Sequence, residues 1–141
     1  NPTMAGFTFA FRESGGAPSI VDLLFKDTET LTKGDMANLE TGEVDLLAAA
    51  DANALGVVLE TKAGTDSTTR IKVIIDADAV YSVVDATARL LGATLDISGA
   101  TGAQTVTTSS GKEFLVARES SATEPTLVKF NVGKHAFNVA A

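Results

Sequence analysis

The chain has no cysteine and no tryptophan, and only three prolines, one tyrosine and one histidine among its 141 residues. Without cysteine no disulfide can staple the fold, and no thiolate is present to bind zinc or to act as a nucleophile. Stability has to come from packing or from partners. The single histidine, His135, has no second imidazole to share a metal or a proton relay, and a lone histidine in a closing strand reads as a surface or interface residue. No serine stands in a Gly-x-Ser-x-Gly elbow, and neither Gly15-Gly16 nor the 99–102 segment carries the Gly-Lys-Ser/Thr ending of a phosphate-binding loop. Asp76-x-Asp78 and Asp51-x-Asn53 offer oxygens to a hard cation, but the spacing of a calcium loop and its closing glutamate are missing, so both pairs read as turn caps or solvated side chains. No catalytic residue, metal or cofactor is expected.

Positive charge is also scarce. Eleven basic side chains against eighteen acidic ones give a formal net charge of −7, which repels a phosphate backbone unless the cations gather into one patch. They are scattered, and only Phe130, between Lys129 and Lys134, pairs an aromatic ring with basic neighbours as single-strand binding requires. Direct nucleic-acid binding is not expected. No apolar run approaches the ~20 residues that cross a bilayer, and no charged-then-apolar leader opens the sequence, so no membrane association is expected either.

What is present is ordinary globular composition, 45% apolar and 21% charged, in a chain long enough to bury roughly two thirds of its unfolded surface as one domain. Residues 31–60, LTKGDMANLETGEVDLLAAADANALGVVLE, organise the rest. They read as a strand entered through Gly34-Asp35, a tight return at Glu40-Thr41-Gly42-Glu43, a strand over Val44–Leu47, a small-residue turn and the apolar run Leu55-Gly56-Val57-Val58-Leu59.

Before this stretch, Phe7, Phe9 and Phe11 occupy alternate positions, so an extended chain turns all three rings to one face. Gly15-Gly16-Ala17-Pro18-Ser19 then reads as a hinge. The segment is either an ordinary first strand on the chain's own core or an extended arm that completes a neighbour's sheet, main-chain bonds giving affinity and alternate rings giving specificity. Residues 1–19 are taken as arm and hinge, and residues 20–141 as the folded domain.

Beyond the polar loop 61–69, Ile71, Val73 and Ile75 alternate with Arg70, Lys72 and Ile74 as a half-buried strand, and Ala79–Val84 reads as another. Asp85 followed by helix formers and Gly92 predicts one short helix over 85–92, with Asp85 as its cap and Gly92 as its left-handed stop; a single longer helix from Asp78 is the alternative, which the β-branched residues before Asp85 disfavour. Strands follow near 94–97, 114–119 and 129–132, and a last one over 134–139, with Ser/Thr/Gly-rich connections between them at the surface. The second half loosely repeats the first: Glu60 matches Glu119 and Ile71 matches Phe130 at an offset of 59 residues, and Gly34 matches Gly92 at 58. Two related β-modules, 31–76 and 90–134, would explain that.

The Lys33-Gly34-Asp35 opening, Thr41-Gly42 in the hairpin, the turn at Ala50-Asp51-Ala52 and the strand Leu55-Gly56-Val57 resemble the core of the head decoration, or cement, proteins of tailed bacteriophages, over roughly residues 31 to 132. The fold expected is mainly β, a small β-barrel or packed-sheet domain (β-tulip-like) with one short helix and an extended N-terminal arm. The resemblance implies a non-enzymatic homotrimer on the outer surface of the virion capsid, made in the host bacterial cytoplasm. Its partner would be the major capsid protein, whose subunits it would bridge against the pressure of packaged DNA. Phe7, Phe9, Phe11 and Arg12 are the expected capsid or neighbour-subunit contacts. The alternatives are a soluble ligand-binding or enzymatic β-barrel with a pocket among the Ser/Thr-rich loops, and another phage structural part such as a tail-tube protein.

Overall fold

A computed structural model of the chain describes residues 6–26, 29–64, 68–108 and 112–137. Its largest element is a six-stranded antiparallel sheet. Across it in order run β1 (Phe7–Arg12), β9 (Ala79–Val83), β13 (Thr126–Phe130), β12 (Phe114–Arg118), β10 (Thr94–Ser98) and β11 (Thr105–Thr107). A three-stranded sheet is built from β5 (Glu43–Leu46), β4 (Met36–Glu40) and β6 (Ala54–Val57), in that order. Among the described residues two short pairs complete the fold, β2 (Ile20–Leu24) with β8 (Arg70–Ile74) and β3 (Thr30–Leu31) with β7 (Lys62–Ala63).

The organising stretch supplies the middle layer. Neighbouring residues on its strands turn to opposite sides, as strand geometry requires. Met36, Ala54 and Val57 pack toward the six-stranded sheet with Tyr81, Phe114 and Phe130, while Ala37, Leu55 and Val58 pack with Phe25, Ile71 and Val73 of a second core. Both faces of β6 are covered, so it reads as the unbroken apolar run ALGV instead of an alternating one. Gly56 follows from that crowding: a Cβ there would lie 2.0 Å from the Ile74 carbonyl oxygen and 2.6 Å from the Tyr81 hydroxyl. The hydroxyl sits against the Gly56–Val57 backbone without a well-formed hydrogen bond.

The hairpin between β4 and β5 closes on Glu40 opposite Glu43, with Thr41 at φ 51° and Gly42 at φ 81°. Both central residues are left-handed, the two-residue turn whose twist matches that of the strands. Three buried polar side chains fasten the layers. Asp35 accepts from the Thr32 and Gly102 N–H groups and the Thr101 hydroxyl. Gln104 accepts from the Met36 N–H at 2.6 Å and donates to the Leu47 carbonyl. Glu113 accepts from the Ala50 and Ile97 N–H groups, one at each oxygen, and burial pushes its carboxyl above the ordinary range.

Three expectations are corrected. Among the described residues there is no helix, and no sheet closes into a barrel: β1 and β11 stand as free edges of the largest sheet. Over 85–92 the chain is irregular because its backbone bonds across the fold, the Gly92 N–H donating to the Val116 carbonyl. The Arg89 N–H, which a helix would commit to the Asp85 carbonyl, donates to the Ser120 carbonyl and completes a bridge, and the Asp85 carboxylate pairs with the Arg89 side chain at 2.7 Å. His135 is not at the surface but fully buried. It makes an isolated bridge to Ala54 where a last strand was expected over 134–139, and 138–139 lie outside the described residues.

Candidate interaction surface

β1 carries all four expected contact residues, and the structure separates them. It pairs antiparallel with β9 of the same chain: Phe7 opposite Val83, Phe9 opposite Tyr81, then Phe11 opposite Val80. The two residues from Phe9 to Phe11 therefore span one step of the partner strand, and the extra residue, Ala10, is a β-bulge. Phe7 and Phe9 face the core, the first 5.4 Å from Phe114 and the second edge-on to Tyr81 at 6.1 Å between ring centroids. Phe11 is turned to the opposite face. Phe7 is 3% exposed and Phe11 47%. The expectation of three rings on one face fails at the bulge, which alternation alone does not reveal.

Arg12 is held inside the chain. Its guanidinium lies 2.9 Å from Asp78 and 3.5 Å from Asp76. Asp78 also accepts the Ser14 N–H and hydroxyl, and Asp76 accepts the Ser19 N–H at 2.6 Å. The Ser14 hydroxyl bond first, and the Arg12 guanidinium after it, draw the Asp78 carboxyl down to about 2. The Asp-x-Asp pair thus ties down both ends of the Gly15-Gly16 turn, whose glycines take φ values of 83° and 91°.

On its outer face the six-stranded sheet presents a cross-strand row. Phe11 stands opposite Val80, Val80 opposite Lys129, and Lys129 opposite Leu115. Lys129 turns its amine to Glu13 at 3.0 Å, which leaves its stem along the row. Val80 beneath is fully buried. The sequence signal for this row was available in Leu115, an apolar residue at the non-core alternate of a strand.

A second feature, a groove of about 610 Å³, opens beside the outer edge of β1, its walls formed by Phe7, Phe9, Val57, Leu59 and Val84 with Lys33 on its lip. One end is closed by Gly34, whose carbonyl accepts the Phe7 N–H at 2.8 Å while its N–H donates to the Val58 carbonyl at 3.0 Å. The Lys33 N–H is itself held by the Thr61 hydroxyl. In sequence the 33–35 stretch reads as a strand start with no sign of a groove, because the lining comes from segments far apart in the chain.

The geometry has a solved counterpart. The chain is similar in fold to the head fiber gp8.5 N base of bacteriophage phi29. The likeness covers 80% of this chain and 95% of that one, with a TM-score of 0.50 and 14% sequence identity. No family model matches the chain, and no curated protein matches it.

Proposed function

We propose that this chain is a structural protein of a tailed-phage virion, seated as a homotrimer on the outer surface of the capsid, where it bridges subunits of the major capsid protein. The observation that carries the reading is the fold likeness to the base of a phage head fiber over most of both chains. The resemblance of residues 31–60 to capsid decoration proteins supports it independently. Its motif positions have physical roles here: Asp35 fastens two layers, the exposed Thr41-Gly42 turn closes the hairpin and Gly56 lets β6 pass between two cores.

The action in this reading is mechanical. A protein that touches several subunits at once raises their effective concentration for one another, so a modest contact repeated around a trimer resists outward pressure. Attachment uses Phe11 and the row it heads, with Phe7, Phe9 and Arg12 holding β1 in the sheet that presents it. Light scattering on the purified chain, followed by sedimentation with expanded empty capsids, tests the reading. A trimer that sediments saturably with capsids supports it, and a monomer that stays in the supernatant overturns it.

A further inference from the structure

The groove beside β1 has the shape of a missing strand. Its long walls are the edge of β1 on one side and Val57, Val58, Leu59 and Thr61 on the other, joined at one end by Gly34 and open beyond it. The Phe7 N–H points away from β9, since it donates to Gly34. In an antiparallel pair the inward and outward residues alternate, so Thr8 bonds to β9 and the N–H and C=O of Phe9 point outward, into the open part of the groove. Among the described residues nothing takes them. Unpaired edge groups beside apolar walls are the arrangement that recruits a further strand.

The charge around the groove differs from that of the chain. On a protein of net charge −7, none of the residues lining it carries a carboxylate, and its one charge is Lys33. Lys33 makes no ion pair among the described residues, while its backbone is fixed by Thr61. A cation without a partner, at the lip of an apolar slot, complements an anionic side chain on whatever lies there.

We propose that this groove accepts an extended, acidic segment of another polypeptide. The segment would add beside Phe9, its apolar side chains against Phe9, Leu59 and Val84 and a carboxylate opposite Lys33. Successive side chains of a strand alternate between faces, so one segment can supply both. This assigns a binding site independent of the capsid reading.

The test uses two acetylated peptides about seven residues long, enough to span the slot at ~3.3 Å per residue, one alternating valine with glutamate and the other valine with lysine. Each is titrated into the full chain while backbone amide shifts are followed. The expected result is tighter binding of the glutamate peptide by about tenfold, the size of one partly screened charge contact counted with both signs, with shifts centred on Phe7–Phe9, Lys33 and Leu59. Lys33→Glu, an exposed change that keeps the backbone bond to Thr61, should reverse the preference at an unchanged unfolding midpoint. Equal affinities, no binding of either peptide, or shifts elsewhere would overturn the proposal. A chain that binds the glutamate peptide but not capsids keeps the groove and loses the capsid reading, and the converse result does the opposite.

Discussion

The imidazole of His135 donates its Nε2 hydrogen to the carbonyl oxygen of Leu55 at 2.7 Å, joining positions 80 residues apart. The tautomer follows from the other nitrogen, which accepts the Phe137 N–H at 3.0 Å and so carries no hydrogen. The ring lies 4.9 Å from Phe130, in a chain of rings that runs on through Tyr81 to Phe9. The only histidine is thus a fully satisfied core group that fastens the C-terminal segment to β6.

This relationship sets a pH dependence. Burial pushes the imidazole below its ordinary 6.5, so the fold favours the neutral form, and its contribution is present above pH 6.5 and lost as pH falls toward the lowered folded value. Glu113 works in the opposite sense. Burial raises its folded pKa, so its contribution is full below the ordinary 4.5 and lost as pH rises through the raised value. Between pH 7.5 and 5.0 the thermal midpoint of His135→Gln should change less unfavourably than that of the parent chain, while the substitution costs about 1–2 kcal/mol at pH 7.5. A midpoint unaffected by the substitution at both pH values would remove His135 from the core account.

Gly56→Ala should be among the most damaging single changes, at about 3 kcal/mol or more, because its Cβ meets backbone at 2.0 Å on the Ile74 side and a close-packed interior cannot yield. Adding Tyr81→Phe relieves only the 2.6 Å contact and should not restore stability. Urea denaturation of the single and double variants measures both.

The bulge at Ala10 divides the phenylalanines by role. Phe7→Ala should cost about 3–5 kcal/mol of stability, as expected for an enclosed ring. Phe11→Ala should cost under about 1 kcal/mol yet weaken capsid attachment severalfold. Replacing all three rings together mixes these effects, so the single variants are compared by unfolding and by sedimentation side by side. Equal attachment by Phe11→Ala and the parent chain would take the outer row out of the interface.

Much of the strand framework is legible in residues alone. Alternation marks β8, the Glu40–Glu43 return marks the hairpin, and the unbroken run at Leu55–Leu59 marks a strand covered on both sides. What escapes is set by partners distant in sequence. Local propensity favours a helix at 85–92, but backbone bonds from Arg89 to Ser120 and from Gly92 to Val116 win there. β11 lies in a Ser/Thr-rich connection with no apolar pattern, and pairs because Val106 can be buried opposite Ile97. Of the contact residues, their strand is visible in sequence and the bulge that parts them is not. Neither the outer row nor the groove is contiguous in the chain, so each becomes visible only once the sheets are assembled.

The central claim, attachment to a capsid, is tested most directly by sedimenting the purified full chain with expanded empty phage capsids across a range of chain concentrations. The account predicts saturable co-sedimentation at a fixed number of copies per capsid subunit, with a trimer's mass for the unbound chain by light scattering. A chain that remains in the supernatant at every concentration, whatever its mass in solution, would contradict it.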